Sequence, residues 1–288
     1  ITMIKLGLNT WLWAVTFGEE DLYCIDEIAR LGAEAIDLSV NDPFHFPAAK
    51  AAEKLKQYDM EVIVTTAMSK EYNAISPDPK EREAALVYMK KLLDVAHEVG
   101  AKIVGGVNYV GSGYHTGKPR TQQEIDWDVE YLKQASEYAA QYGITIALEA
   151  IKRFETHFLN RAEQALELID LVGADNIKVH LDTFHMNIEE DDIPGAIRLC
   201  GDKLAYMHLV DSNRGTPGMG HIPWLEVFKA LKDIDYHGAG CVETFNPQRL
   251  DEIAPLTYLT RRFADTPEEL AEQGLRYLKA ARTMVYGV

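Results

Sequence analysis

Eight short apolar runs alternate with longer amphipathic stretches from one end of the chain to the other, and this alternation restricts the fold more than any other feature. The runs are Lys5–Thr10, Glu34–Ser39, Glu61–Thr66, Lys102–Val107, Thr145–Glu149, Lys178–Asp182, Leu204–Leu209 and Ala239–Glu243. They are nearly continuous in apolar residues, the pattern of strands buried on both faces. Helical periodicity fills intervals at Asp21–Leu31, Lys80–Val99, Glu124–Tyr142, Arg161–Val172 and Trp224–Lys232. A last helix is expected after Thr266-Pro267-Glu268-Glu269, where Thr caps, Pro takes the first helical position and acids fill the first turn. Gly32, Gly100, Gly143 and Gly173 each stand where a helix should close through left-handed backbone.

Strands and helices in strict alternation imply a parallel sheet with right-handed crossovers. A count of eight, with no linker or composition shift, points to an α/β fold: a closed (β/α)8 TIM barrel, one catalytic domain over residues 1–288. An open, doubly wound sheet would call for a glycine fingerprint after the first strand, and Gly7-Leu8-Asn9-Thr10-Trp11 is not one. The long intervals 68–79, 108–120, 150–160 and 211–223 all follow a strand, so in a barrel they crowd the catalytic face.

Composition narrows the setting. With 29 Lys+Arg against 45 Asp+Glu the net charge is −16, and no basic patch longer than Arg261-Arg262 is present, so nucleic acid is not an expected partner. No apolar run is long enough to suggest a membrane span. The opening Ile1-Thr2-Met3-Ile4-Lys5 has no charged segment before an apolar stretch, so a secretory leader is not expected and Met3 reads as the natural start. Three cysteines, Cys24, Cys200 and Cys241, form no CxxC pair, which favours free thiols and a cytoplasmic location.

The chemistry is concentrated where the last four runs end. They close on Glu149, Asp182, His208 and Glu243, and strand C-termini converge on a barrel's mouth. For any one polar residue there, bonding to loops at a solvent-facing strand end is an equal reading. Three acids converging without a cation would repel one another, and a divalent ion removes that cost. An oxygen-rich set with one imidazole suits Mn²⁺, Co²⁺ or Mg²⁺ rather than copper. Two residues before each lie Ala147, His180, Tyr206 and Cys241, facing the same way one layer deeper. His180 and Tyr206 are there as supports of the ligands or as core filling, with core filling slightly favoured.

On the adjoining loops, Glu155, His185 and Arg214 are candidates to bind sugar hydroxyls, with a solvated loop residue an equal reading for each taken singly. Trp11, Trp13, Phe17, Tyr109 and Tyr114 are candidates for an apolar wall suited to a small ligand, with core packing the plainer reading for the tryptophans. The loop Arg214–His221 is glycine-rich before Pro223-Trp224, a weak signal for a phosphate nest and a stronger one for a simple lid turn. No Walker loop, HExxH, GxSxG or nucleophilic Cys–His pairing occurs, and His97 on its helical pattern reads as surface.

Four stretches carry a family resemblance. Leu148-Glu149 through Asn160, His180-Leu-Asp182-Thr-Phe-His185-Met-Asn187, His208-Leu-Val-Asp-Ser-Asn-Arg214 with Pro217-Gly218-Met-Gly220, and Val242-Glu243-Thr-Phe245 resemble the D-tagatose 3-epimerase and D-psicose (D-allulose) 3-epimerase family. The resemblance implies Glu149, Asp182, His208 and Glu243 as ligands of Mn²⁺ or Co²⁺, and Glu155, His185 and Arg214 as contacts to substrate oxygens near carbons 1 to 3. It also implies a homodimer or homotetramer. Asn9-Thr10-Trp11 and Thr66-Ala67-Met68 depart from the family pattern where the pocket is shaped. The chemistry expected is proton transfer at carbon 3 of a ketose through an enediolate, with Glu149 and Glu243 as acid and base on opposite faces. Aldose–ketose or keto-inositol isomerisation on the same metal-binding barrel is the nearest alternative. A metal-dependent abasic-site endonuclease would need a His-rich multi-metal site and a basic face, and a sugar-binding module would need no acids around a cation.

Overall fold

β1 (Lys5–Asn9), β2 (Ala35–Ser39), β3 (Glu61–Ala67), β4 (Ile103–Val107), β5 (Thr145–Glu149), β6 (Ile177–Asp182), β7 (Leu204–His208) and β8 (Ala239–Val242) pair in parallel, each with its successor and β8 with β1. The result is a closed barrel. This computed structural model describes residues 3–287; the expected start at Met3 turns on Ile1 and Thr2, which lie outside them. Strand positions agree with the apolar runs to within a residue or two. Two ends differ in a way that matters: Thr10 leaves β1 for a 3₁₀ turn, and Glu243 stands one residue beyond β8.

The six expected helices are present as α1 (Tyr23–Arg30), α3 (Pro79–Val99), α4 (Gln122–Ala140), α5 (Ala162–Val172), α8 (Trp224–Asp233) and α10 (Pro267–Tyr286). Thr266 caps α10 by accepting the Glu269 N–H. Gly32, Gly100, Gly143 and Gly173 all have positive φ. Four further helices interleave: α2 (Ala48–Leu55), α6 (Thr183–Glu189), α7 (Ile193–Cys200) and α9 (Leu250–Thr257). Each has eight residues or fewer, too short to be stable alone, so tertiary packing rather than propensity makes them helical.

The main apolar core lies between the strands and the helix ring, while Ala35, Ile63, Tyr206, Ala239 and Cys241 pack separately inside the barrel. Space there is limited. A Cβ on Gly105 of β4 would come within 3.1 Å of His180 Nδ1, and one on Gly106, at φ +91°, would meet the Thr66 carbonyl oxygen at 2.1 Å. The Gly-Gly pair therefore lets the His180 ring occupy the interior. Among the described residues no helix is long and apolar enough to cross a membrane. All three cysteines are free and buried.

Candidate metal centre at the barrel mouth

β5, β6 and β7 end on Glu149, Asp182 and His208, and the pairing sets Asp182 directly opposite His208. Glu243 follows β8. Their side chains converge: His208 Nδ1 lies 3.3 Å from Glu149 Oε1, 3.8 Å from Asp182 Oδ2 and 3.9 Å from Glu243 Oε1. Donor atoms of Asp182, His208 and Glu243 all fall within 4.8 Å of one another. Glu149, Asp182 and His208 are buried and Glu243 is nearly so.

The group fits a divalent cation. Asp182 Oδ1 caps α6 by accepting the Phe184 N–H, whereas Asp182 Oδ2 and Glu243 Oε2 are buried with no hydrogen-bond partner among the described residues. Two ionised carboxylates less than 5 Å apart repel by about 3–4 kcal/mol at an effective dielectric constant of ~20. Protons or a cation must offset this. Accordingly, burial together with the charges of Glu243 and Glu149 pushes Asp182 up to about 8. Burial raises Glu149 as well, and Glu243 adds to it. Burial alone would lower His208, but Glu243, Asp37 and Glu149 outweigh it and raise the imidazole well above its ordinary value. Three hard oxygens and a neutral imidazole nitrogen are the donor set of a Mn²⁺, Co²⁺ or Mg²⁺ site.

Asp37 completes the centre and was not among the expected site residues. It lies mid-strand in β2, fully buried, and its carboxylate accepts from four groups. Oδ2 takes His208 Nε2–H, Tyr206 O–H and Asn9 Nδ2–H, each at 2.8 Å, and Oδ1 takes Thr65 O–H at 2.7 Å. Asp37 thereby keeps a proton on Nε2, so that Nδ1, on the carboxylate side, is the nitrogen whose lone pair a cation would meet once its own proton is displaced. The signal in the sequence was a lone acid inside an apolar run. Tyr206 thus acts on His208 through Asp37 and does more than fill the core. His180 accepts the Gly106 N–H on Nδ1 and packs edge-on against His208, with ring centroids 4.3 Å apart.

The expected substrate contacts gather above this centre. His185, on α6, accepts the Lys152 N–H on Nδ1 at 3.1 Å and turns Nε2 toward Asp182 Oδ2, 4.0 Å away. Burial, with Arg214 and Lys152 beside it, holds His185 well below its ordinary value, so the ring is a neutral donor. Arg214, at φ +61°, is held between the Phe184 and Phe245 rings, each centroid 4.9 Å from its guanidinium carbon. Its Nη2 is 3.6 Å from Glu243 Oε2 and its Nη1 is 3.4 Å from Glu155 Oε1. Lys152 also pairs with Glu155 Oε1, and it too escaped sequence reasoning because a loop lysine reads as solvated.

The aromatic residues divide. Trp11 stacks edge-on against Phe245 at 5.1 Å and so borders the mouth. Trp13 is buried, donating to Glu268, and Phe17 packs on Phe46. Tyr109 lies behind β5, its hydroxyl donating to the Glu149 carbonyl oxygen at 2.7 Å. Tyr114 packs near His157, and His97 is exposed, stacked on Tyr142. The glycine-rich loop is not a phosphate nest. Buried Asp211 already takes its donors, accepting from the N–H groups of Ser212, Gly218 and Ile222 and from Trp224 Nε1.

Residues 25–281 match a family model described as Xylose isomerase-like TIM barrel. The chain is 33% identical over 249 residues to D-psicose 3-epimerase of Ruminiclostridium cellulolyticum, covering 84% of each. It is 30% identical over 252 residues to L-ribulose 3-epimerase of Methylomonas sp., covering 87% of this chain and 88% of that one. A solved D-allulose 3-epimerase from Methylomonas sp., in complex with D-allulose, superposes with a TM-score of 0.92 at 28% identity, covering 98% of each chain.

Proposed function

The chain belongs to the xylose isomerase-like TIM barrels and within them to the ketose 3-epimerases, isomerase-class enzymes, and we propose that it interconverts free ketoses at carbon 3 using Mn²⁺ or Co²⁺. D-Fructose/D-allulose, D-tagatose/D-sorbose and ketopentose pairs are the proposed substrates. The observation that carries the reading is the convergence of Glu149, Asp182 and Glu243 around His208 Nδ1. The whole chain serves as one catalytic unit, assembled as a homodimer or homotetramer in the cytoplasm, a setting consistent with its three free thiols.

A proton on carbon 3 is α to the ketose carbonyl and too weakly acidic for an unaided carboxylate. Glu149, Asp182, His208 and Glu243 would hold a divalent ion, which when bound would supply positive charge to polarise the carbonyl and offset the negative charge of the enediolate. Glu149 and Glu243, on β5 and after β8, then remove the proton from one face of carbon 3 and return one to the other. Neutral His185 and the Phe-clamped Arg214 donate to the oxygen on carbon 2, and Glu155 accepts from the hydroxyl on carbon 1. The nest filled by Asp211 favours an unphosphorylated sugar.

The test is a ketose panel in D₂O with EDTA-stripped enzyme, then with Mn²⁺, Co²⁺ or Mg²⁺ restored. Deuterium entering carbon 3 with formation of the 3-epimer supports the reading. Deuterium entering carbon 1 or 2 with an aldose product supports aldose–ketose isomerisation instead.

A further inference from the structure

Lys152 is a buried cation in the mouth that the scheme above leaves without a task. Its side chain is only 10% exposed, and its ammonium reaches Glu155 Oε1, the same oxygen that Arg214 Nη1 approaches at 3.4 Å. Glu155 Oε2 receives no hydrogen bond from the described residues. Lys152 also acts through its backbone, because its N–H is the donor that fixes the His185 tautomer. The side chain lies near the Phe184 face, 5.5 Å from the centroid, on the ring that also carries Arg214.

Burying an ion pair is a poor way to stabilise a fold, since desolvation cancels most of the attraction. Keeping Lys152 inside is therefore explained better by what it does to Glu155. With both cations gathered on Oε1, the carboxylate is held in one orientation and Oε2 is left as its free acceptor.

We propose that Lys152 is a positioning residue for the substrate's terminal hydroxyl: it locks Glu155 through Oε1 so that Oε2 accepts from the oxygen on carbon 1, while its backbone N–H aims His185 at the neighbouring oxygen. This rests on the ketose 3-epimerase reading. It makes the carbon 1 hydroxyl a recognition element whose value depends on Lys152. Burial and the neighbouring Arg214 bring the Lys152 ammonium down to about 7, in keeping with a cation retained at some cost.

The test pairs each of D-allulose, D-tagatose and L-ribulose with its 1-deoxy analogue, using Mn²⁺-loaded wild-type enzyme and Lys152→Met. For the ketose, Lys152→Met should raise KM about tenfold, the scale of one lost charge-assisted hydrogen bond, with kcat within about threefold. For the 1-deoxy analogue the two enzymes should have equal KM, and Lys152→Arg should restore part of the loss. An equal change on both members of a pair, or none on the ketose, overturns the role of Lys152. Should Lys152→Met not fold, Lys152→Gln and Glu155→Gln carry the same comparison, and their ketose penalty should likewise vanish on the 1-deoxy analogue. Wild-type enzyme that epimerises none of the three ketoses overturns the functional reading itself.

Discussion

Asp37 Oδ2 accepts the Nε2–H of His208 at 2.8 Å, and this bond decides which imidazole nitrogen faces the three mouth carboxylates. An acid in the middle of β2 thus orients a proposed ligand at the end of β7. Asp37→Asn should weaken divalent-metal binding about 10- to 100-fold, the usual effect of losing a carboxylate behind a ligating histidine. Activity titrated against Mn²⁺ measures this, and kcat at saturating Mn²⁺ should recover to within several-fold. A variant with unchanged Mn²⁺ dependence would show that the orientation of His208 is set elsewhere.

Glu149 and Glu243 lie 3.3 and 3.9 Å from the same imidazole nitrogen, the first at the end of β5 and the second just past β8. In the proposed scheme they are acid and base on opposite faces of carbon 3, so neither can substitute for the other. Glu149→Gln and Glu243→Gln should each reduce kcat by about 10³-fold or more, because each change removes both proton transfer and a charge beside the cation. Circular dichroism should report an unchanged fold. Near-normal turnover by Glu243→Gln with saturating Mn²⁺ would refute the two-glutamate scheme.

Most of this architecture was legible in the chain itself. A strand buried on both faces has no reason to carry a charged residue, so Glu149, Asp182, His208 and Glu243 stood out at the ends of apolar runs. Asp37 breaks its run in the middle, where the expected payoff of a polar residue is nil, and only the closed barrel shows it meeting His208 across the interior. Lys152 was invisible for the opposite reason: lysines are ordinary in loops, and its burial follows from α6 folding over it. The helices α2, α6, α7 and α9, of seven or eight residues, offer little apolar periodicity, although α1 is no longer and was expected, and α6 is the one that delivers His185.

Asp211 organises the loop between β7 and α8 by occupying donors on Ser212, Gly218, Ile222 and Trp224. Asp211→Ala leaves two buried donors, the Ile222 N–H and Trp224 Nε1–H, and two half-buried ones without their partner and should cost about 2–4 kcal/mol. A lowered thermal midpoint would register this, with Mn²⁺ affinity near wild type because none of the four proposed ligands is touched. Tighter binding of inorganic phosphate by this variant than by the wild type would show that the carboxylate stands where an anion would otherwise sit.

Proton competition should govern loading of the centre. In the metal-free protein Asp182 is pushed up to about 8, and Glu149 and His208 are raised as well. Asp182 and His208 therefore hold protons at neutral pH, and a ligating carboxylate or imidazole must give its proton up. Apparent Mn²⁺ affinity should therefore fall as pH is lowered from about 8, by roughly tenfold per unit for each proton displaced. Calorimetry at pH 7 in buffers of different ionisation enthalpy should show one or more protons released per Mn²⁺ bound. Asp182→Asn should bind Mn²⁺ weakly at every pH and release fewer protons. A Mn²⁺ affinity independent of pH between 6 and 8, with no proton release, would mean that the carboxylates are already ionised in the metal-free protein and that their repulsion is relieved by some other means.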